Sequence, residues 1–309
     1  MAQLSNAAVY ASMLVYTLAL FAFAGSLAAR RVPMAAKQKV LVGPDGTPAE
    51  PTGPVEAEEP GRKSGNIALS LTWLATVLLI VGFVFRGLAA GRFPLGNMYE
   101  FSLGAAIAVA LVYLVAASRT DLRWLGVWVV GAVLLTLGVA VTLLYTESAQ
   151  LVPALKSWWL VIHVSAAAIS GGAFTLSAGL IFAYLIRQRA EDKGTADRGF
   201  ASRLPSAERL DALAYRTIAF VFPVWTFAVI AGAIWAENAW GRYWGWDPKE
   251  TWAFITWVVY AGYLHARSTA GWKGRKAAVI GLIGFAAFLV NYFGVNFFAT
   301  GLHSYAGVG

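Results

Sequence analysis

The chain has 309 residues, 59% of them hydrophobic and only 13% charged, with a mean hydropathy of +0.62. Soluble domains carry about 25% charged residues, so this composition, with 13 Trp, 18 Phe and 12 Tyr, excludes a disordered chain and points to a polytopic helical membrane protein. The absence of cysteine excludes disulfides, thiolate nucleophiles and cysteine-held metal or iron–sulfur centres, and there are only three histidines, His163, His265 and His303.

A hydrocarbon layer about 30 Å thick needs roughly 20 apolar residues per helix. Eight stretches qualify, at about 7–29, 66–88, 98–118, 123–145, 158–186, 214–236, 250–268 and 276–298. The first lacks a basic leader and runs directly into Arg30 and Arg31, which reads as a retained anchor over residues 1–30. Residues 31–65 hold six of the 11 prolines and read as a flexible cytoplasmic linker. Residues 66–309 form a seven-helix core. A charged loop at about 187–213 includes a short interfacial helix near Ser206–Leu213. No internal repeat and no phosphate-binding glycine loop is evident.

The net charge of +8 is a question of placement. Of the 24 Lys and Arg, 19 fall in one set of alternate loops, and only Arg86, Arg92, Lys156, Arg242 and Lys249 fall in the other. The positive-inside rule makes the first set cytoplasmic and puts both termini outside. The charge is thereby an orientation signal, and nucleic acid drops out as a partner.

The loop at 237–252 runs Glu-Asn-Ala-Trp-Gly-Arg-Tyr-Trp-Gly-Trp-Asp-Pro-Lys-Glu-Thr-Trp. Six tryptophans crowd positions 235–257: Trp235, Trp240, Trp244, Trp246, Trp252 and Trp257. One reading is an interfacial aromatic belt. The other is a stacking platform for a planar, mostly apolar ligand with a polar rim, which Gly241 and Gly245 let approach closely. Asp247, Pro248 and Glu250 have the spacing of a helix N-cap, N1 and N3, a capping box that starts the seventh helix.

Trp240-Gly-x-x-Trp244-x-Trp246-Asp247-Pro-Lys-Glu-Thr-Trp252 resembles the tryptophan-rich WWD signature of haem-handling proteins. Its continuation through Ile255-Thr-Trp257 and Tyr263-Leu-His265 is similar to the CcsA (ResC) family of the System II cytochrome c synthase. Asn97-Met-Tyr-Glu-Phe101, Trp159-Leu-Val-Ile-His163-Val and Gly294-Val-Asn296 through Gly301-Leu-His303-Ser-Tyr305 also match family patterns, so the resemblance covers the chain from about residue 66 onward. It implies an all-α protein of the bacterial inner membrane that carries haem b across and presents it outside, for thioether attachment to the Cys-x-x-Cys-His segment of apocytochrome c. The chain would then be the haem-binding subunit of a two-subunit haem lyase. The implied partners are a ResB/CcsB-type membrane subunit, apocytochrome c, haem, and thiol-reducing membrane or periplasmic proteins.

Within that resemblance His163 and His303, both on the external side with the tryptophan loop, are the axial ligands of an external haem, and each alone also reads as a packing residue. His265 lies 15 residues after Glu250, about 22 Å along the helix, and ligates a haem within the membrane whose other ligand the partner subunit supplies. Its plainer reading is a neutral histidine bonded to a neighbouring helix. Trp240, Trp244, Trp246, Asp247 and Trp252 build the haem platform. Arg242 and Lys249 pair with propionates or are solvated loop charges, and Tyr99-Glu100 serves the family site or merely starts a helix. The rival readings are a CcmC-like haem chaperone without ligation, and a structural or transport protein with an ordinary aromatic belt.

Overall fold

The computed structural model describes residues 1–30, 61–147, 156–269 and 271–302. The expected linker falls outside them except for its last residues, of which Arg62 onward already belongs to a helix. All regular structure among the described residues is helical, as the composition requires. The long helices are α1 (Ala2–Ala29), α2 (Arg62–Ala90), α3 (Met98–Arg119), α4 (Gly126–Leu143), α5 (Trp158–Asp192), α6 (Ala207–Trp240), α7 (Pro248–Ser268) and α8 (Arg275–Leu289), with a short α9 (Val295–Phe298) continuing α8 across a π-helical turn.

Seven of these segments are long and apolar enough to cross a membrane, α8 counting together with α9. The chain is a multi-pass membrane protein. The expected seventh span is the exception. Helix α7 forms where the sequence places it, but Lys249, Glu250, His265 and Arg267 dilute its apolarity below that of the others. It packs against α6 and α8 with Thr256, Tyr260 and Tyr263 buried and leaves Phe254, Val258, Gly262 and His265 exposed, so it is not uniformly apolar.

Two further boundaries differ from expectation. The interfacial helix foreseen near Ser206–Leu213 is the beginning of α6 itself, started by the Ser206 hydroxyl accepting from the Arg209 N–H. The tryptophan loop is also shorter than 237–252. Helix α6 continues to Trp240, Gly241 ends it in a left-handed conformation (φ 69°), and Pro248 begins α7, which leaves seven connecting residues.

Helix α5 is the centre of the bundle. It packs against α3, α6 and α8, while α1 lies along α2 and α4. Small residues make this close contact possible: a Cβ at Gly172 would stand 3.0 Å from the Ala108 carbonyl oxygen of α3. The start of α3, the start of α5, the end of α6, the start of α7 and the α8–α9 segment therefore converge at one end of the bundle.

Candidate functional site

The converging ends enclose a cavity. Its walls are Leu95–Met98 and Phe101, Leu160, His163 and Ala167, the α6 face from Trp225 to Trp240, Tyr243 and Trp244 of the loop, Lys249 and Ala253, and Phe288, Asn291, Tyr292 and Asn296. The surface is aromatic and aliphatic, with one imidazole, one ammonium and a few amides, the mix that suits an amphiphilic ligand of low polarity.

His163 projects from the first turns of α5 and lies against the backbone of α6. Its Nδ1 is 2.7 Å from the Ala228 carbonyl oxygen. A carbonyl only accepts, so Nδ1 carries the proton and donates, and in the neutral ring Nε2 holds the lone pair. That is the tautomer a metal ligand needs, held by a second bond as ligating histidines usually are. The ring is nearly parallel to that of Trp235, at 9° and 6.1 Å between centroids. Gly232 makes the arrangement possible, since a Cβ there would fall 2.7 Å from Cε1 and 2.8 Å from Nδ1. Nothing in the spacing of Gly232 and His163, 69 positions apart, hints at this contact.

The loop is organised by the Glu250 carboxylate, which is almost fully buried. Its Oε2 accepts from the Gly245 N–H (2.8 Å) and the Asp247 N–H (3.1 Å), and Arg242 Nη1 donates to both oxygens, at 3.1 Å to Oε1 and 3.4 Å to Oε2. The capping box read from the sequence is present, with Asp247 Oδ1 accepting from the Lys249 N–H at 3.1 Å. Trp246, between the two donating amides, is held at φ 57°, a conformation that costs a non-glycine residue roughly 1–2 kcal/mol.

The platform residues divide. Trp240 and Trp244 line the cavity. Trp246 is 63% exposed and meets Trp244 edge-on at 5.7 Å, facing outward. Trp252 is half-buried in α7 away from the cavity wall. Arg242 is bound to Glu250 and packs on the Trp240 ring at 5.8 Å. Lys249 is on the wall, its ammonium donating to the Asn291 main-chain oxygen at 2.9 Å. His265 is exposed in the last turn of α7, on the far side of the bundle from the cavity wall. His303 lies outside the described residues, and the residue before it, Leu302, donates its N–H to Asp247 Oδ2 at 2.7 Å.

A second loop repeats the first. At the start of α3, Glu100 is fully buried and accepts from the Gly96 N–H (2.7 Å) and from Arg92 (2.7 and 3.1 Å), while Asn97 caps the helix by accepting from the Glu100 N–H (2.9 Å). In both loops the Glu stands eight residues after its Arg and three after its Asx N-cap. The helix-start reading of Tyr99-Glu100 holds, with an addition: Arg86, 2% exposed, also donates to Glu100 at 3.0 Å. The sequence shows no repeat because only four side-chain or backbone roles recur, scattered over nine residues. Trp235, one of the six clustered tryptophans, is also on the wall, while Trp225, Asn291 and Tyr292 were missed because they sit inside apolar helices with no local motif.

The family described as Cytochrome C assembly protein matches residues 95–303. The chain belongs to that family. CcsA proteins named for cytochrome c biogenesis are similar across most of its length: that of Microcystis aeruginosa is 38% identical over 80% of this chain and 88% of its own, that of Guillardia theta 36% over 77% and 85%, and that of Prochlorococcus marinus 37% over 79% and 85%. Among solved structures, the cytochrome c heme lyase CcmF shares the fold with a TM-score of 0.66 at 17% identity. The match covers 94% of this chain and 46% of that lyase, so the chain spans about half its length. The matched region begins at Leu95, next to the Gly96 amide that donates to Glu100.

Removing the carboxylate tests the loop's dependence on it. Glu250→Ala leaves two amides and a guanidinium without their acceptor, each lost bond costing about 1–3 kcal/mol. Limited proteolysis should cut within 241–247 much faster than in the parent, with the helical circular dichroism unchanged. Equal cutting rates would show that the loop holds its shape without Glu250.

Proposed function

We propose that this chain, a membrane protein of the cytochrome c assembly family, handles haem as a cargo and presents it in the cavity for covalent attachment to apocytochrome c. The observation that carries this reading is His163. It stands on an aromatic, largely apolar wall with Nδ1 bonded to a carbonyl, which leaves Nε2 as the unprotonated nitrogen of the neutral ring. Trp240 and Trp244 offer ring faces and edges to a porphyrin. His303 is the second axial ligand, reached from the chain end that Asp247 holds.

The chemistry adds each thiol of a Cys-x-x-Cys-His segment across a haem vinyl group. The sulfur bonds to one vinyl carbon and the thiol hydrogen goes to the other, so nothing leaves and no electrons are transferred. Both thiols come from apocytochrome c, in keeping with a chain that has no cysteine. The protein's own contribution is to hold the ring, exclude water and orient the vinyl edge. The cavity face is external and the membrane is the bacterial inner membrane.

His265 ligates haem at an earlier stage, deeper in the membrane. Its exposure on α7 among the described residues supports a ligand shared with another subunit, of the ResB/CcsB type. That the similar lyase is about twice as long agrees with a second chain completing the unit. Arg242, committed to Glu250, shapes the loop, and Lys249 takes a propionate. Elsewhere on the wall, Trp225 Nε1–H is buried without a protein acceptor among the described residues and supplies a second donor to the same cavity.

Three outcomes follow. His163→Ala and His303→Ala should each lose the external haem and stop cytochrome c maturation while the protein still inserts, and Gly232→Val should do the same with both histidines intact. Normal maturation by either alanine variant without added imidazole overturns the ligand assignment. His265→Ala should deplete haem in the purified complex even when the external ligands are present, and an unchanged haem content and absorption spectrum sinks that role. Lys249→Gln should weaken haem about tenfold, one charge-assisted hydrogen bond's worth, yet leave binding of haem dimethyl ester unaltered. An equal loss for both ligands removes the propionate contact.

A further inference from the structure

Helix α8 breaks its pattern where it meets the cavity. In a regular α-helix the Val295 N–H would bond to the Asn291 oxygen, four residues back. Across the π-helical turn Val290–Gly294 it bonds instead to the Val290 oxygen, five back, and passes over Asn291. The skipped oxygen accepts from Lys249 Nζ of α7 at 2.9 Å. The turn thereby pins an ammonium on the cavity wall, and an ammonium with one N–H so used keeps two for another acceptor.

Two further polar atoms of the same wall make no hydrogen bond among the described residues: Trp225 Nε1–H and Asn291 Oδ1. Both residues are deeply buried, at 4% and 7% exposed. Both also flank Phe288. Trp225 packs edge-on against that ring at 5.9 Å, and Asn291 follows it by three residues. An indole nitrogen only donates, whereas an amide that turns over exchanges its oxygen for an N–H. Enclosing such atoms unpaired costs folding stability, and a native fold that keeps them has a reason to.

We infer that the π-turn, Lys249 and Trp225 form a subsite for a carboxyl group of the ligand. An ionised carboxyl accepts from the ammonium, from the indole and from the turned amide of Asn291. A hydroxyl would satisfy the indole and the amide but leave the ammonium without an anion, and an apolar group would leave all three unserved. Because the two orphan atoms are enclosed, the Asn291 side chain rotates as the acid arrives. The subsite stands on the geometry of the wall. Only the naming of its acid as a haem propionate rests on the haem reading.

The test measures binding of metal-free protoporphyrin IX and of its dimethyl ester to the full chain in detergent, by fluorescence. These probes carry no iron, so histidine ligation does not enter. The parent should prefer the acid to the ester. Trp225→Phe and Asn291→Leu should each cut that preference about tenfold, the scale of one hydrogen bond to a charged group. Packing changes cancel in the ratio of acid to ester. Asn291→Leu keeps the main-chain bond to Lys249 and nearly the same size, so the unfolding temperature of the ligand-free protein should hold or rise. A clear fall shows the amide already paired within the fold, by a fixed water or otherwise, and overturns the subsite. An unchanged ratio in both variants, or a parent that prefers no acid to its ester, also overturns it. If the parent binds neither porphyrin but prefers 1-pyrenebutyrate to its methyl ester, and both variants lose that preference, the subsite stands and the haem reading falls.

Discussion

The site depends on one buried carboxylate at a helix start. Glu250 draws the Gly245 and Asp247 amides and the Arg242 guanidinium to a single point, and that convergence gives a seven-residue connection a fixed shape. An ionised group removed from water needs such a full set of donors. The arrangement also explains why Trp246 tolerates a left-handed backbone: the amides on either side of it are bonded to one oxygen, so the peptide between them has no freedom to relax. The strain turns the Trp246 ring outward and leaves Trp244 on the cavity wall.

The same device at Glu100 fixes the opposite wall. There the carboxylate is shared by Arg86 and Arg92. Together the two loops frame the cavity from α3 and α7, and both depend on helix N-termini whose free amides are consumed by side chains rather than by water. His163 is held against α6, through the Ala228 carbonyl and the gap at Gly232. The metal-binding tautomer is thus a property of helix packing and not of the loop.

Much of this was legible in the sequence, and what was not has physical causes. Apolar length placed the helices, and Ser/Asn/Asp N-caps with glycine and proline punctuation set several of their ends, since those signals are local. The Asp247–Glu250 capping box was readable for the same reason. Helix α6 overran its expected end because Glu237 and Asn238 look like loop residues, although nothing stops a helix before Gly241. The His163 contact with α6, the Asp247 bond to Leu302 and the Arg86 bond to Glu100 are tertiary, and no pattern within a window announces them. The twin loops escaped notice because only an Arg, a Gly, an Asx and a Glu recur, with the Gly at a different spacing and unrelated residues between.

Helix α7 joins these threads. It is the least apolar of the long helices because each end has a task that apolar residues cannot perform: Asp247, Lys249 and Glu250 at one end, His265 at the other. Neighbouring helices bury polar groups on α7 against themselves, as Trp257 does with the Thr226 hydroxyl of α6 at 2.9 Å. The face through Phe254, Val258, Gly262 and His265 is left exposed. Three of those four residues suit lipid, and the fourth does not. The departure of α7 from the hydropathy of its neighbours therefore follows from the polar groups it carries at both ends and on its packed faces.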